Sequence, residues 1–527
     1  MTIYKEKFIV TASQMREIEG RIFAAGMPVA ALMEKVASLA ARRIQTLAPI
    51  ANCPKIGIIV GPGHNGGDAL VIARELHFRG YHISVCAPIS KLKELTNNHA
   101  QYAKSLGIPF FLNISQLKNC DLLIDGLFGF GLEREITGDL ATTIETINSW
   151  QKPIFSIDIP SGIHTDTGEV LGIAIRATRS FCLGLWKLAF LQDRALEYIG
   201  TPELIDFDIP LADITAILGE SPQVERITRQ SALANLPLPR PPATYKYRNG
   251  HLLVIAGSRL YSGAAILTAL GARASGVGML TVAVPDSIKL LLNAQLPEAL
   301  IIGCPETEAG AIRELPPELE LGKFDAIACG PGLTAEATSV VEAVLSANCP
   351  LILDADALNI CANSGGSFKQ QQRPAPTVIT PHLGEFKTLF PDLADEGDRL
   401  LAARKAVERA SCQFLRGSVL LLKGARAIVA SPSNTRGETI PKIWINPEST
   451  AALARGGSGD VLTGLIGGLL AASRRFGPGL AGPASVGEAV KTAVWWHARA
   501  AILAAEERTE LGVDAFTLTE YLMRALV

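Results

Sequence analysis

Short apolar runs alternate with longer stretches of helical periodicity along the whole chain. The first helical stretch covers residues 11–47 and breaks at residues 26–28, Gly-Met-Pro, because glycine and proline interrupt a helical pattern. Largely apolar runs follow it at residues 55–60, 82–86, 121–125 and 153–158. Such runs are typical of strands that are buried on both faces of a parallel sheet. The first half is therefore predicted to be an α/β domain that begins with a βαβ unit.

The alternation stops at a proline-rich join and then resumes. Residues 211–242 lose strand character and gather prolines at 237, 239, 241 and 242, which marks a domain boundary. We predict one domain at residues 1–220, a linker at 221–248 and a second domain at 249–527. Strands of the second domain are predicted at residues 251–258, 279–284, 324–328, 351–353, 377–379 and 419–422. Their alternation with helices predicts that both domains are doubly wound α/β structures with covered sheet faces.

Length and composition support two large domains and exclude several other classes. At 527 residues the chain is too long for one core, and its 48% hydrophobic and 19% charged content is that of an ordinary globular protein. A net charge of −2 gives no electrostatic reason to expect a nucleic-acid or membrane partner. Residues 1–8 lack an apolar signal segment, and the most apolar helix, residues 461–472, is shorter than the roughly 20 residues that span a bilayer. We therefore expect a cytoplasmic protein.

Cysteine and histidine spacing argues against a zinc site. Nine cysteines lie between Cys53 and Cys412 without a CxxC pair, which is typical of buried small side chains in a reducing compartment. The eight histidines show neither HExxH nor HxH spacing. Any bound metal is therefore expected to be a hard cation that is held by oxygen atoms.

The sequence Ala-Arg-Gly-Gly-Ser-Gly-Asp at residues 454–460 runs directly into an apolar helix. Its glycines let backbone N–H groups approach a ligand closely, and the helix N-terminus adds about half a positive charge. Asp460 falls in the first turn, where that dipole favours the ionised carboxylate. The pattern predicts a catalytic base beside an anion hole. The alternative is a glycine-rich turn in which Asp460 only caps the helix.

A second glycine-rich segment follows the first long predicted strand. Residues 61–66 match GxGxxG between a strand and a helix, which is the context of a dinucleotide fingerprint. A dinucleotide oxidoreductase also needs an acidic residue near the end of the next strand, whereas residues 86–88 are Cys-Ala-Pro. We therefore expect this loop to cradle a nucleotide phosphate, with Asn65 and Asp68 as further polar contacts.

Aspartates stand at the ends of two later strands of the first half. Asp125 and Asp158 each close a strand, and Ser161 follows the second of them. Ligands bind at the carboxyl edge of open α/β sheets, so these groups are expected to converge with Asn65 on one crevice. The oxygens of Asn65, Asp125 and Ser161 would suit a monovalent cation or hydrated Mg²⁺. Alternatively, one or both aspartates cap the loops that follow.

The strand ends of the second half carry the groups of a phosphoryl-transfer site that lacks a GxxxxGK[ST] loop. Lys423 follows a buried strand and is placed to neutralise phosphate as a point charge, unless it is an exposed loop lysine. His382, with Glu385 three residues later, either touches the substrate or has a structural role. Asp354 and Asp356 either organise Mg²⁺ through water or cap the helix that starts at residue 357.

Five motifs in the first half together resemble the NAD(P)H-hydrate epimerase family over residues 11–210. They lie at residues 11–16, 31–34, 64–68, 125–129 and 158–162. The resemblance implies a Rossmann-like fold and nucleotide contacts from His64, Asn65, Gly66, Gly67, Asp68, Gly129, Phe130, Gly131, Leu132, Glu133, Arg134 and Glu135. It also implies that Asp158 touches the reacting substrate and that Asn65, Asp125 and Ser161 surround a potassium ion. The chain has His64 where the family more often has Asn, which affects a phosphate contact, and Glu19 in place of Asp, which is expected to be peripheral.

An ordered set of motifs in the second half resembles the ADP-dependent NAD(P)H-hydrate dehydratases, a ribokinase-like family, from residue 248 to the end. The motifs lie at residues 245–250, 257–264, 330–333, 354–359, 380–382, 422–424 and 456–460. The resemblance implies that the hydrated nicotinamide nucleotide contacts Ala264, Gly332 and His382, with Asp460 as the base. It implies that the adenine nucleotide contacts Lys423, Gly424, Ala425, Arg426, Ala427 and Gly459. Leu383 and Ala451-Ala452 replace the family's common Pro and Asn-Pro, which affects details of nucleotide contact.

The two resemblances together predict the repair of hydrated NADH or NADPH. Hydration at C6 of the nicotinamide ring gives two epimers, and a stereospecific dehydratase acts on one of them, so a fused epimerase lets both be recovered. Asp460 is predicted to take the hydroxyl proton while the glycine loop stabilises the transferring phosphoryl group, and phosphate then leaves. We expect ADP as the donor on the basis of the resemblance, K⁺ in the first half, Mg²⁺ in the second, and a homo-oligomer without nucleic-acid or membrane partners.

Two other functions fit parts of this pattern. A kinase of a vitamin or sugar hydroxyl on the same fold would release a stable phosphorylated product instead of restoring NADH. A non-catalytic nucleotide-binding protein would use its first half for interaction alone. Asp460 after an intact glycine loop argues against this last function for the second half.

Overall fold

The computed structural model of the chain describes residues 5–363, 373, 375–394, 396–409, 418–432, 434–435, 438–476 and 483–527. The chain divides into two units, Met1–Pro222 and Gln223–Val527. Seven of the cysteines are buried, as expected, whereas Cys412 lies outside the described residues. Within those ranges no single helix is long and apolar enough to cross a membrane. The pair Ala12–Ala24 and Val29–Leu47 meets the criterion only together, across a bend of 119°.

The first unit is built on a parallel sheet. Its strands are β1 (Ile9–Val10), β2 (Lys55–Val60), β3 (His82–Cys86), β4 (Phe110–Phe111), β5 (Leu122–Gly126), β6 (Ile154–Ile157), β7 (Arg179–Leu183), β8 (Trp186–Lys187) and β9 (Thr201–Ile205). Its helices are α1 (Ala12–Ala24), α2 (Val29–Leu47), α3 (His64–His77), α4 (Glu94–Ser105), α5 (Gly138–Ser149), α6 (Leu196–Ile199) and α7 (Leu211–Leu218). Seven strands form one sheet in the order β4-β3-β2-β5-β6-β7-β9, and β1 pairs with β8.

The strands of this sheet are covered by apolar side chains on both faces, as predicted. Ile58 and Ile124 join the core cluster formed with α1, α2 and α3. Their neighbours Ile59 and Leu123 join a second cluster that includes residues of α5. Successive residues of a strand point to opposite faces, so a strand that is covered on both sides must be apolar at each position. This double covering is the reason why the apolar runs are continuous.

The second unit is built on a larger, mostly parallel sheet. Its strands are β10 (Val224–Arg226), β11 (His251–Ile255), β12 (Met279–Pro285), β13 (Leu300–Cys304), β14 (Ala326–Cys329), β15 (Leu351–Leu353), β16 (Thr377–Ile379), β17 (Val419–Leu422), β18 (Ile428–Ser431), β19 (Asn434–Thr435), β20 (Glu438–Thr439) and β21 (Lys442–Ile445). Its helices are α8 (Arg229–Leu233), α9 (Ser262–Ala274), α10 (Lys289–Gln295), α11 (Thr338–Leu345), α12 (Asp356–Asn363), α13 (Leu383–Leu389), α14 (Arg399–Arg409), α15 (Ser458–Phe476), α16 (Pro483–Arg508) and α17 (Ala515–Tyr521). The sheet order is β10-β21-β18-β17-β16-β15-β14-β11-β12-β13.

The predicted strands of the second unit are confirmed in β11, β12, β14, β15, β16 and β17, and the structure adds others. β10 lies in the segment that was predicted to be a linker and pairs in parallel with β21, while β18 runs antiparallel to β17 and β21. A three-residue strand such as β10 is too short to show an alternating pattern, and its partner lies far away in the sequence. The bounds of the domains and linker at 220 and 249 stay a prediction.

Two helices of the second unit, α9 and α15, pack at very close range. A Cβ at Gly271 would lie 2.1 Å from Val461 O, and one at Gly464 would lie 1.8 Å from Thr268 O. Both distances are far inside van der Waals contact, so this approach of the two backbones requires glycine. The contact fixes the N-terminal half of α15, which carries the glycine-rich stretch.

Candidate functional site

A cavity of about 660 Å³ opens in the first unit where the strand order reverses. β2 and β5 are neighbours there, although β3 and β4 lie between them in the chain, and such a switch point is where open α/β sheets bind ligands. The predicted site residues that line the cavity are His64, Asn65, Asp68, Gly129, Phe130, Gly131, Leu132, Arg134 and Asp158. The predicted contacts that lie outside its lining are Gly66, Gly67, Glu133 and Glu135.

Residues 64–68 form the first turn of α3 rather than a free loop. Gly63 is the N-cap, so α3 begins at residue 64, inside the segment that was predicted to be a loop. A Cβ at Gly66 would lie 2.0 Å from Gly61 O, and this close contact gives the glycine a packing role. The backbone N–H groups of a first helical turn have no partner inside the helix, so this segment remains able to bind an anion.

Asp158 forms a buried ion pair that the sequence did not indicate. Lys187 Nζ lies 2.6 Å from Asp158 Oδ1, and both side chains are almost completely buried. Lys187 also donates to Leu183 O, and Asp158 Oδ2 accepts a hydrogen bond from Phe130 N at 2.8 Å. Asp158 has a φ of 68°, a left-handed conformation that is uncommon outside glycine and clusters at functional sites. These contacts fix the Asp158 carboxylate at the cavity.

Two more carboxyl groups face this cavity. The expectation that Glu19 is peripheral was wrong, because the polar face of α1 borders the cavity and brings Glu19 to its wall together with Lys187. Burial raises the pKa of Glu19 to about 7. The positive charge of Lys187 lowers this pKa, and the negative charge of Asp158 raises it. Burial, followed by the charges of Asp158 and Glu19, also raises the pKa of Asp68. The charge of the buried Lys187 ammonium group therefore acts on three carboxyl groups, and Asp158 is the one that it contacts.

Asp125 and Ser161 are in direct contact, and Asn65 borders the same loop. Ser161 Oγ donates to Asp125 Oδ1 at 2.6 Å, while Ser161 N and Ser156 Oγ donate to Asp125 Oδ2 at 2.9 and 2.8 Å. A Cβ at Gly129 would lie 3.1 Å from Asn65 Cγ. Both polar atoms of the Asn65 amide are buried without a hydrogen-bond partner, so its oxygen is available to a ligand. This set of oxygen donors fits the predicted cation.

In the second unit the strand order reverses between β11 and β14. Gly257 N donates to Pro331 O at 2.8 Å and joins the loops that follow these two strands. A Cβ at Gly332, which has a φ of 68°, would lie 2.8 Å from Tyr261 Cβ and 2.9 Å from Ala264 Cβ. Ala264 and Gly332, both predicted to contact the hydrated nucleotide, are therefore neighbours at the switch point of this sheet.

The N-terminus of α15 lies at the carboxyl edge of the same sheet. The helix begins at Ser458, so Asp460 is in its first turn, as predicted. A Cβ at Gly459 would lie 3.5 Å from Lys423 Nζ and 4.0 Å from Asp354 Oδ2. Lys423 directly follows β17 and Asp354 directly follows β15. Helix N–H groups, a lysine and a carboxylate thus meet where a phosphoryl group can be stabilised.

Acidic side chains hold Lys423 in place. Its Nζ lies 2.8 Å from Asp354 Oδ1 and 3.8 Å from Glu385 Oε2, and Thr463 Oγ1 donates to Asp354 Oδ2 at 2.6 Å. Burial opposes the charge of Lys423, but the two carboxylates outweigh it, so the pKa of Lys423 is raised. Lys423 is therefore a fixed ammonium group rather than an exposed loop lysine.

Asp460 has a strongly altered acidity. Burial raises its pKa to about 6, the charges of Asp354 and Asp356 act in the same direction, and Lys423 opposes them. A carboxyl group with this pKa is mostly ionised at neutral pH, yet it is a stronger base than an exposed aspartate. Asp460 is therefore suited to accept a proton from a hydroxyl group.

Two residues predicted to bind ligands also have structural contacts. His382 is the N-cap of α13, and its Nδ1 accepts hydrogen bonds from Gly384 N and Glu385 N at 3.0 and 3.2 Å, while the ring is exposed. The buried guanidinium group of Arg426 donates to Pro447 O. The capping contact leaves the exposed face of the His382 ring accessible, whereas Arg426 joins the loop before β18 to the segment that follows β21.

His497, in the middle of α16, was not indicated by the sequence. Its Nε2 lies 2.9 Å from Ser458 O at the start of α15, and burial lowers its pKa to about 4. A carbonyl oxygen only accepts, so the neutral ring donates from Nε2. The bond anchors the first turn of the helix that carries Asp460.

Each unit is a doubly wound α/β fold whose candidate site lies at the switch point of its sheet, and this defines the class of protein. Residues 252–524 match the family described as NAD(P)H-hydrate dehydratase, and residues 29–189 match the one described as YjeF-related protein N-terminus. The bifunctional NAD(P)H-hydrate repair enzyme Nnr of Synechocystis sp. is 54% identical over 98% of this chain and 94% of that protein. The protein of the same name from Thermosynechococcus vestitus is 49% identical over 98% of this chain and 97% of its own.

Among solved structures, an ADP/ATP-dependent NAD(P)H-hydrate dehydratase from Bacillus subtilis, co-crystallised with ATP/Mg²⁺, is 29% identical. The match covers 57% of this chain and 96% of that chain, with a TM-score of 0.45. The chain belongs to the bifunctional NAD(P)H-hydrate repair enzymes. This membership confirms the resemblance that the motifs of both halves indicated.

Proposed function

We propose that this chain returns hydrated NADH and NADPH to the functional coenzymes. The first unit interconverts the R and S epimers at C6, and the second unit dehydrates the S epimer while ADP is converted to AMP and phosphate. The observation that carries the proposal is the meeting of Asp460, Lys423 and the N-terminus of α15 in one crevice. Membership of the repair enzymes over nearly the whole chain supports the pairing of the two activities.

Dehydration starts when the Asp460 carboxylate takes the proton of the C6 hydroxyl. The hydroxyl oxygen attacks the terminal phosphorus of ADP, the bond from that phosphorus to the bridging oxygen breaks, and AMP leaves. Lys423 and the N–H groups of the first turn of α15 stabilise the charge of the transferring group. Phosphate then leaves C6 with the electron pair of the C–O bond, C5 loses a proton, and the C5=C6 double bond is restored.

Several carboxyl groups around a single lysine suit this crevice to Mg²⁺. Asp354 and Asp356 are the residues that we assign to it, although Asp354 already contacts Lys423 and Thr463. Asp356 Oδ2 accepts a hydrogen bond from Thr334 N at 3.0 Å. Because these oxygens are engaged, we expect the aspartates to hold the ion through water. When bound, Mg²⁺ neutralises charge on the phosphates of the nucleotide.

In the first unit, K⁺ is assigned to Asn65, Asp125 and Ser161. The unpartnered amide of Asn65 and the buried carboxylate of Asp125 support this assignment. When bound, the ion supplies positive charge beside the loop that follows β5. Asp158, held by Lys187 at the cavity, serves as the base that receives a proton during inversion at C6. The homo-oligomer and the cytoplasmic location expected from the sequence stay predictions.

Asp158→Ala is expected to leave the R epimer of a mixed substrate unconverted. With ADP and Mg²⁺, the wild-type chain should turn both epimers into NADH, whereas the variant should stop when the S epimer is consumed, because its second unit is intact. NADH absorbance and chromatographic separation of the epimers, followed at early times, measure the two activities. If the variant consumes both epimers at the wild-type rate, the role of Asp158 is wrong. Failure of the wild-type chain to form NADH from the S epimer would exclude the proposed function.

The dehydration rate should rise with pH through about 6. The pKa of Asp460 lies above that of an exposed aspartate because of burial, so the carboxyl becomes protonated as pH falls through about 6 and can no longer accept the hydroxyl proton. Measurement of kcat/KM from acidic to neutral pH checks this limb. If the midpoint of the rise in kcat/KM lies near the ordinary aspartate pKa of roughly 4, burial does not set the pKa of Asp460.

A further inference from the structure

The cavity of the first unit contains a carboxyl group that the mechanism above does not use. Glu19 lines the cavity from α1, and Asp158 and Lys187 line it from the end of β6 and from β8. Among the described residues, none donates a hydrogen bond to the Glu19 carboxyl group. Glu19 is partly buried, and a carboxyl group with a structural role in such a place normally accepts hydrogen bonds, so the hydrogen bonds of the fold do not explain it.

The charged groups that line the cavity determine which of its carboxyl groups can donate a proton. The ammonium group of Lys187 is committed to Asp158 and to Leu183 O, and Asp158 uses its second oxygen for Phe130 N. The remaining titratable groups of the cavity wall are Arg16, His64, Asp68, Lys93 and Arg134. Arg16 lies 3.8 Å from the exposed Glu133 carboxylate. Near neutral pH, burial keeps much of Glu19 in its acid form, with a pKa of about 7.

We propose that Glu19 is a second proton-transfer residue of the epimerase, which donates a proton to the C6 hydroxyl while Asp158 acts as the acceptor. The inference rests on the proposed function of the first unit. Inversion of a carbon that bears a hydroxyl group needs an acid for the group that leaves and a base for the one that arrives. Glu19 and Asp158 come from different elements and line the same cavity, so one bound substrate can contact both.

The step balances as follows for the conversion of one epimer. The proton moves from Glu19 to the hydroxyl oxygen, the C6–O bond breaks with its electron pair leaving in water, and the N1 lone pair forms the N1=C6 bond. Water adds to the other face of C6, the N1=C6 electron pair returns to N1, and the surplus proton passes to Asp158. Exchange with solvent returns a proton to Glu19 and removes one from Asp158. The reverse conversion uses the two carboxyl groups in the opposite roles.

The test uses the full-length chain with Glu19→Gln, Glu19→Asp and a matched control, Glu17→Gln, on the exposed side of the same helix. Loss of a general acid lowers a rate by about 100- to 10,000-fold, so Glu19→Gln should lower kcat for epimerisation in this range with little change in KM. Glu19→Asp should recover part of the rate, because it keeps the carboxyl group. Glu17→Gln should match the wild type, and dehydration of the pure S epimer should be unchanged in all three variants.

The pH profile and the isotope content of the product separate catalysis from structure. In the wild type, conversion should fall as pH rises through about 7, where Glu19 loses its proton, and Glu19→Gln should lack this limb. In water labelled with the heavy oxygen isotope, each inversion by the wild type should place the label at C6. If Glu19→Gln has the wild-type kcat, or if its rate still falls as pH rises through about 7, the proposed role of Glu19 is wrong. The proposed function of the first unit is not affected by that result. A wild-type chain that does not interconvert the epimers overturns the proposed function and this inference together.

Discussion

Asp460→Asn should abolish dehydration and leave nucleotide binding in place. Asparagine has the same size and keeps its place in the first turn of α15, but it cannot accept the hydroxyl proton. Loss of a general base costs about 100- to 10,000-fold in rate, so recovery of NADH from the S epimer with ADP should fall at least by the lower factor. Binding of ADP, measured by calorimetry, should persist because Lys423 and the backbone N–H groups of the helix remain.

The Asp460→Asn variant carries its own control in the other half of the chain. Interconversion of the R and S epimers belongs to the first unit, so its rate in the variant should equal that of the wild type. Restoration of NADH at the wild-type rate would exclude Asp460 as the base. Loss of ADP binding, with epimerisation intact, would mean that Asp460 organises the nucleotide site instead of accepting the proton.

The parallel core of each sheet could be predicted because burial on two faces leaves a continuous apolar run. The strands β15 and β16 begin and end where their runs do. The edges could not be predicted in this way. β10 has only three residues, and β18 and β21 pair with each other in an antiparallel arrangement. The positions of these strands are set by their pairing partners, and their own sequences carry no recognisable pattern.

The residues of the candidate sites fall into two groups for the same reason: those with a signal in the adjacent sequence were predicted, and those positioned by distant parts of the chain were missed. Asp460 was predictable because a glycine-rich stretch and the helix after it are adjacent in sequence, and Asp158 because it closes an apolar strand. Lys187 was missed because one lysine in a two-residue strand gives no sign that it is fully buried. Glu19 was missed because a polar helix face looks alike whether it borders solvent or a cavity. His497 was missed because its partner, Ser458 O, is a backbone atom from another helix.

Lys187→Met should destabilise the first unit and eliminate epimerisation. The variant keeps a side chain of similar length but leaves the Asp158 carboxylate buried without its cation, beside Glu19 and Asp68, whose pKa values burial already raises. Removal of one partner of a buried ion pair costs about 3–5 kcal/mol. Differential scanning calorimetry of the full chain should show the transition of the first unit at a lower temperature. NADH formation from the pure S epimer at moderate temperature should continue.

Two further variants show whether Lys187→Met acts through the unpaired charge that it leaves behind or through the removal of a lysine side chain. Lys35→Met removes an exposed ion pair with Asp208, at 2.8 Å, and should cost no more than about 1 kcal/mol. The double variant Asp158→Asn with Lys187→Met removes both buried charges and should be more stable than Lys187→Met alone, although equally inactive as an epimerase. A double variant that is no more stable than Lys187→Met would show that Lys187 acts through packing and not through its charge.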